Sequence, residues 1–232
     1  MPTNHADVVL VHGAWADGSS WSKVIGPLEA EGINVVAAPL PLTSLADDVA
    51  AVDHVLERVD GPVVLAGHAY AGAVIAETTS PKVASLVYIA ALAPDEGETV
   101  SDVFYRAQPH PKAPLLQPDS HGLVWLPATA FADAFAPNAS PAEQEVLAAV
   151  QRPIAASTIG VPVDRPLWKD RPSWFLIAEE DRMIAPDTHR FMAGRMGANA
   201  RERPVDHAPL VTAPEEVVDI ILDAVRDVET TA

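Results

Sequence analysis

The sequence has 232 residues and sets 15 Lys and Arg against 32 Asp and Glu, a formal net charge of −17 with histidines neutral. With 49% hydrophobic and 20% charged residues, it can bury a sizeable core, and its composition is far from that of a disordered chain. Nucleic acids and anionic membranes bind clustered Lys and Arg, and no such cluster occurs here. We therefore expect a compact globular protein whose partner is a small molecule, not a nucleic acid or a membrane.

The absence of cysteine excludes disulfides, iron–sulfur clusters and thiolate zinc sites. The first fifteen residues have no basic region before their short apolar run, so we expect no signal peptide. No apolar stretch reaches the roughly 18 residues needed to span a bilayer. We expect a cytoplasmic protein, and a homodimer stays an open possibility.

Short apolar runs alternate with helix-like stretches along the first ninety residues, which is the pattern of strand–helix–strand units in a parallel sheet. In chain order the predicted elements are a strand at 8–12, a helix at 21–31, strands at 33–38 and 63–66 separated by a helix at about 45–58, and a strand at 83–90. The alternation resumes with a strand at 173–178, a helix at about 187–196, a strand at 201–205 and a last helix from about 214.

The second of these helices has clear start signals. Ser44 is a good N-cap, and Asp47 and Asp48 lie in the first turn, where acidic side chains favour the helix dipole. In the last helix, apolar residues recur at helical spacing and predict one buried face: Val217, Val218, Ile221, Leu222 and Val225.

Residues 94–172 are rich in proline and dotted with aromatic residues. Nearly eighty residues without structure are improbable inside a compact domain, so we predict an insertion of short helices and loops. The predicted organisation is a single domain over residues 1–232, with a cap insertion at approximately 95–170.

Residues 64–75 read as an apolar strand that turns sharply into an Ala-rich helix. This segment resembles the nucleophile elbow of the α/β-hydrolase superfamily, in which G-x-S-x-G places a serine at a strained strand-to-helix turn. Gly67 supplies the first small position and Ala71 the last. The nucleophile position itself holds Ala69, which has no hydroxyl group.

Other positions also match this superfamily. Residues 12–15, HGAW, resemble the loop that supplies half of an oxyanion hole, for which we assign the amide of Ala14. The second amide is that of Tyr70, directly after the nucleophile position. Asp181 matches the acid of the family and His207 its histidine, in the expected chain order.

The resemblance covers essentially the whole chain and is closest to the small esterases and hydroxynitrile lyases related to plant methyl-ester hydrolases. It implies the α/β-hydrolase fold: a mostly parallel sheet flanked by helices, with a small helical cap inserted after the fourth predicted strand. It implies no cofactor.

Each assignment has a structural alternative. Glu179, Glu180 and Asp187 compete with Asp181, and His207 could be a simple loop neighbour of Asp206. His12 and His68 are interpreted as supporting residues of the loop and the elbow. Ser19 and Ser20, in the loop after the first strand, are alternative nucleophiles, although turn-forming serines are commoner.

We assign five residues as candidate substrate contacts: Trp15, His68, Phe104, Trp125 and Phe131. The tryptophans, with Trp21 and Trp168, have core packing as the alternative role. The histidines show no metal-ligand spacing, so no metal is expected, and no phosphate-binding loop or dinucleotide fingerprint is present.

The resemblance implies a hydrolase of small carboxylic esters or lactones that works through an acyl-enzyme, with the nucleophilic serine replaced by Ala69. Two origins of Ala69 stay open: an engineered inactivating change and a natural variant. A natural member without serine could use the His–Asp dyad for proton transfer, as a lyase, an isomerase or a cofactor-free oxygenase. A ligand-binding protein without catalytic activity is a further alternative, and a cyanohydrin lyase would need a cationic group that the sequence does not identify.

Overall fold

The computed structural model describes residues 6–231. The start of the segment considered for a signal peptide and the last residue of the predicted domain lie outside this range. The strands are β1 (Asp7–Val11), β2 (Val35–Ala38), β3 (Val63–His68), β4 (Val83–Ile89), β5 (Leu123–Val124), β6 (Ile154–Ala155), β7 (Ser173–Ala178) and β8 (Asn199–Arg203).

Six strands form one sheet in the order β2-β1-β3-β4-β7-β8, and all neighbouring pairs are parallel. The helices are α1 (Ser22–Ala30), α2 (Leu45–Glu57), α3 (Ala71–Glu77), α4 (Val100–Phe104), α5 (Ala128–Ala130), α6 (Pro141–Val150), α7 (Pro186–Met196), α8 (Pro209–Thr212) and α9 (Pro214–Thr231). Short 3-10 helices occupy Gly18–Trp21, Thr158–Gly160 and Leu167–Lys169, and a π-helical turn spans Phe131–Phe135.

The helices cover the sheet in two layers. Helix α1 packs against α9, and α2 packs against α3. Because the chain steps in opposite directions from β1 to β2 and from β2 to β3, the right-handed crossovers usual in parallel sheets place these two pairs on opposite faces. The central strand β3 is buried along its whole length, as a parallel strand covered on both faces must be. The predicted fold, a mostly parallel sheet flanked by helices, is confirmed.

Two of the predicted helices follow their sequence signals closely. The side chain of Ser44 accepts a hydrogen bond from the Asp47 N–H and caps α2, as its position before the helix predicts. Helix α9 buries Val217, Ile221 and Val225 against the core. Both helices therefore form where local sequence and burial agree.

Several predicted boundaries are wrong by a few residues, because pairing between strands decides where a strand ends. Strand β3 continues through Gly67 and His68, whose partners in β4 are Tyr88 and Ile89. Strand β8 lies two residues earlier than predicted, because its ladder with β7 begins at Asn199. The predicted first helix is preceded by a separate 3-10 turn, which the side chain of Asp17 caps.

Residues 90–172 connect β4 to β7, and we call this stretch the β4–β7 segment. It contains helices α4, α5 and α6, as the sequence predicts in general terms, together with the antiparallel pair β5 and β6, which the sequence did not indicate. No helix within residues 6–231 is long and apolar enough to span a membrane.

The strand order reverses between β1 and β3, since the chain runs from β1 outward to β2 and returns to β3 on the other side. In open α/β sheets, ligands bind beyond the carboxyl ends of the strands at such a reversal. The loops after β1 and β3 meet there, and they carry Ala14, Ala69 and Tyr70.

Candidate active site

The turn between β3 and α3 holds Ala69 in the left-handed region, with φ of 50°. This backbone conformation costs about 1–3 kcal/mol for a residue with a Cβ atom. Three hydrogen bonds keep it: the Ala69 N–H donates to the Ile89 carbonyl at 3.2 Å, and the Ala69 carbonyl accepts from Leu92 at 2.9 Å and from Gly72 at 3.1 Å. The strain of a nucleophile elbow is therefore present at a residue that has no nucleophile.

Two glycines permit this sharp turn because backbone atoms of other residues lie very close to them. A Cβ atom on Gly72 would lie 2.2 Å from the Leu92 carbonyl oxygen, and one on Gly67 would lie 2.9 Å from the carbonyl oxygen of Ala71. Only glycine fits such approaches. Gly72 therefore permits α3 to pack against the loop after β4, and Gly67 permits the first turn of α3 to pack against the end of β3.

The ring of His207 is paired with Asp181: Nδ1 of the histidine lies 2.8 Å from Oδ2 of the carboxylate. The other oxygen, Oδ1, accepts from the backbone N–H groups of Met183 at 2.7 Å and Ile184 at 2.8 Å. Burial acts to raise the pKa of Asp181, but the interaction with His207, including the hydrogen bond from its ring, outweighs it, with a further contribution from the Ile184 N–H, and the pKa falls below its usual value. A buried, ionised carboxylate thus orients the histidine.

The competing acids of the sequence do not occupy this position. Glu179, Glu180 and Asp187 are exposed. Asp206 is buried but uses its carboxylate elsewhere: it accepts from the Ala208 N–H and the Thr212 hydroxyl, and from the N–H of Asn138 in the β4–β7 segment. Asp206 thus ties that segment to the loop that carries the histidine.

A second histidine, His189 on α7, lies close to the same carboxylate, with its Nε2 3.6 Å from Oδ2 of Asp181. Its ring is fully buried, and among residues 6–231 neither ring nitrogen has a hydrogen-bond partner. Burial lowers the pKa of His189 to about 4. Sequence reasoning missed this residue, because the only signal was a lone histidine eight positions after the acid.

Two further histidines support the site from below, as the sequence suggested. His68 Nε2 donates to the carbonyl oxygen of His207 at 2.7 Å, and burial, together with the neighbouring His207, lowers the pKa of His68 to about 3. His12 accepts from the Leu40 N–H through Nε2 at 3.0 Å, while its Nδ1 lies 2.9 Å from the Gly13 carbonyl. Both rings are neutral and buried, and neither lines the cavity described below. Nδ1 of His68 has no hydrogen-bond partner among the described residues.

The two amides assigned to the oxyanion hole are available for a ligand. Within residues 6–231, the N–H groups of Ala14 and Tyr70 donate to no protein acceptor. The next amide, that of Trp15, is used by the Arg152 carbonyl at 3.0 Å. The Tyr70 hydroxyl donates to Oδ2 of the buried Asp48 at 2.7 Å. This hydrogen bond fixes the side chain of Tyr70, while its backbone amide stays free.

These groups open onto a cavity of about 130 Å³, close in size to an engineered protein cavity of about 150 Å³ that holds one benzene molecule. Its wall is apolar for the most part and combines the strand-end loops with the β4–β7 segment. The lining residues include Ala14, Trp15, Ala69, Tyr70, Phe104 and His207. Sequence reasoning missed Val100, Ser101 and the β5–β6 residues Val124 and Ile154, because their place in the wall depends on the tertiary fold.

Three of the five predicted substrate contacts are not in this wall. Trp125 is 47% exposed and its indole N–H reaches Asp119 at 3.3 Å, on the outside of the β4–β7 segment. Phe131 is fully buried against Phe135, with ring centroids 5.2 Å apart. His68 lies under the elbow as described. Trp15 and Phe104 do line the cavity.

The other residues considered from the sequence have structural roles and do not line the cavity. Ser19 and Ser20 bond to Asp17 at the start of the 3-10 turn, and Trp21 and Trp168 are buried. In the described part of the chain, no group of three or more His, Asp or Glu side chains is arranged to hold a metal ion.

Comparison with known proteins places this geometry in a family. The model of the alpha/beta hydrolase family matches residues 8–220, and the chain belongs to that family. Its relatives of esterase type include the pyrethroid hydrolase of Sphingobium wenxiniae, 27% identical over 94% of this chain and 86% of that protein. The chain is thus an esterase-like member of the family.

Solved structures agree in fold. The structure of a pyrethroid hydrolase from Sphingobium faniae superposes with a TM-score of 0.80 at 24% identity, over 94% of this chain and 96% of that one. A variant of tomato methylketone synthase I superposes with a TM-score of 0.82 at 16% identity, over 96% and 99% of the two chains. At identities this low, the two superpositions establish that the fold is shared and nothing more.

Proposed function

We propose that this site binds small, uncharged carboxylic esters or lactones, and that its chemistry is ester hydrolysis through an acyl-enzyme for which position 69 must carry a hydroxyl. One observation carries the proposal: the His207–Asp181 pair, with Nδ1 to Oδ2 at 2.8 Å, and two free amides open onto the same cavity as Ala69. The site retains the general base, its orienting acid and the oxyanion donors, and lacks only the nucleophile.

With serine at position 69, the steps follow from the geometry. Nδ1 of His207 is held by Asp181, so Nε2 is free to take the hydroxyl proton as the oxygen attacks the ester carbonyl. The amides of Ala14 and Tyr70 hold the oxyanion, and Nε2 then protonates the departing alcohol. Water, activated by the same nitrogen, releases the acid. The chain with Ala69 binds the ester but forms no acyl-enzyme.

The charge of the cavity supports a neutral substrate. Among the described residues in its wall there is no Lys, Arg, Asp or Glu. An anionic substrate would lose its hydration without gaining a counter-ion, which is costly in an apolar cavity. The cyanohydrin lyase considered from the sequence has no cation here to hold departing cyanide.

Proton transfer is the second candidate function, and the methyl group of Ala69 favours it. Without a serine to activate, His207 Nε2 is a base with no partner within residues 6–231, beside two amides that can hold an enolate oxygen. Such a dyad can remove a proton from the carbon next to a ketone or ester carbonyl with no covalent intermediate.

The test assays the unmodified chain beside Ala69→Ser on short p-nitrophenyl esters and a lactone panel, with His207→Ala combined with Ala69→Ser as control. We expect hydrolysis to rise by roughly three orders of magnitude on restoring serine and to be lost with His207. No gain would overturn the hydrolase proposal.

A parallel measurement separates the other candidates. Exchange of the α-hydrogens of a small ketone in deuterated water, catalysed by the unmodified chain and lost in His207→Ala, would identify proton transfer. Saturable binding of neutral esters, without hydrolysis by Ala69→Ser and without α-hydrogen exchange by the unmodified chain, would identify a ligand-binding protein.

A further inference from the structure

A second cavity, of about 190 Å³, adjoins the one that holds the candidate catalytic groups. We call it the outer cavity; the cavity described above is the inner one. Its wall combines the end of α4 and the loop after it with Met183 from the loop after β7, and includes Phe104, Tyr105, Ala113, Leu115 and Leu116.

The two cavities share a wall. Phe104, Tyr105, Leu116 and Met183 line both of them. Met183 follows the catalytic acid closely, and its N–H donates to Asp181, so its backbone is fixed while its unbranched side chain can change rotamer. These four residues therefore lie between the outer cavity and the inner one.

The exposure of this wall points to a ligand. Leu115 is 78% exposed and Tyr105 is 51% exposed, although large apolar side chains gain free energy when covered. Among the described residues, no charged side chain lines the outer cavity. Like the inner cavity, it is lined mostly by apolar surface, and an apolar group placed there would cover Leu115 and Tyr105.

We propose that the outer cavity is a second subsite of the same binding site, and that the substrate is an elongated neutral ester. The inner cavity is close in size to one that holds a single ring, so it has room for the ester group and one small substituent. A second apolar group, aryl or alkyl, then passes Phe104 and Met183 and lies against Leu115. This inference rests on the proposed function, because it extends the site at which the ester is bound.

The unmodified chain suits a binding test, because Ala69 forms no acyl-enzyme. Dissociation constants for benzyl acetate and 4-phenylbutyl acetate, which differ by three methylene groups between ring and ester, are measured by NMR titration. We expect the longer ester to bind about tenfold more tightly or better, since its additional apolar surface is buried.

Two variants alter the outer cavity: Ala113→Trp, which fills it, and Leu115→Asp, which places a charge in its wall. In each variant, we expect the dissociation constant of benzyl acetate divided by that of 4-phenylbutyl acetate to fall at least about fivefold. Val146→Asp is the matched control, because Val146 is also an exposed apolar residue, at 57%, and lines neither cavity. Circular dichroism verifies that each variant is folded.

The outcomes distinguish the two proposals. Saturable binding of benzyl acetate with a ratio that neither outer variant changes would overturn the outer subsite and leave the proposed function standing. Failure of both esters to bind the unmodified chain would overturn the proposed function, and the subsite with it.

Discussion

Nε2 of His189 lies 3.6 Å from Oδ2 of Asp181, the same oxygen that accepts from His207 at 2.8 Å. One carboxylate oxygen is thus flanked by two imidazole rings, of which only His207 lines the cavity. His189 stays neutral in the folded protein because its burial lowers its pKa to about 4. It contributes a buried, uncharged neighbour to the acid.

His189 should make the protein less stable as the pH falls. Its folded pKa of about 4 is below the unfolded value of 6.5, so the unfolded chain binds the proton first and stability is lost from about pH 6.5 downward. Between pH 7 and 5, His189→Gln should lose about 2 kcal/mol less unfolding free energy than the unmodified chain. Urea unfolding at both pH values measures this difference.

The matched control for that measurement is His54→Gln, because the His54 side chain is 73% exposed. It removes a histidine whose ring is not buried, and so shows the effect of losing an imidazole without losing buried surface. An identical pH dependence in His189→Gln and the unmodified chain would show that His189 does not titrate as its burial implies.

Asp181→Asn, made together with Ala69→Ser, should reduce kcat for ester hydrolysis about 10⁴-fold with a much smaller change in KM. The amide cannot hold His207 in the tautomer that leaves Nε2 free to accept a proton. Steady-state kinetics on a p-nitrophenyl ester measures the loss. Asp187→Asn in the same background is the control, since that carboxylate is exposed and pairs with Arg190; equal losses in the two variants would contradict the assignment.

Gly72→Ala should destabilise the fold by about 1–3 kcal/mol, because its Cβ would meet the Leu92 carbonyl and force the backbone apart. Gly194→Ala, in α7, should instead stabilise it by about 0.5 kcal/mol, because nothing lies within 4 Å of the new methyl group and alanine favours a helix. Urea midpoints compare the two. Equal effects would mean that the approach of α3 to this loop is not tight.

Tyr70 and Asp48 should be energetically coupled. The buried carboxylate of Asp48 accepts from the Tyr70 hydroxyl and from the Leu42 N–H, and both bonds are 2.7 Å long. A double-mutant cycle of Tyr70→Phe and Asp48→Asn should give a coupling energy of about 1–3 kcal/mol in urea unfolding. Additive losses would show that the two side chains do not act as a pair.

Much of the fold could be predicted because its signals are local. Strand β7 and the start of α2 follow from an apolar run and from a capping serine, Ser44. The pairing of His207 with Asp181 followed from the family resemblance, and the structure places the two side chains in contact. These features depend on few residues, close together or in a known order.

The rest depends on contacts between distant residues. Trp125 and Phe131 carry the same aromatic signal as Phe104, yet only Phe104 reaches the cavity. Which aromatic residue faces inward is decided by the path of the β4–β7 segment, including a β5–β6 pairing of two residues per strand. His189 approaches Asp181 only because α7 packs on β7, which no spacing in the sequence records.

Ala69 keeps the left-handed conformation although its methyl group has no nucleophilic atom to present. The geometry of the turn is therefore maintained by neighbouring backbone groups: the N–H groups of Leu92 and Gly72 and the carbonyl of Ile89, all hydrogen-bonded to Ala69. A cysteine or an aspartate introduced at this position would meet the same histidine and the same amides as a serine. For enzyme engineering, position 69 is a fixed attachment point at which thiol, carboxylate and hydroxyl nucleophiles can be compared on one unchanged scaffold.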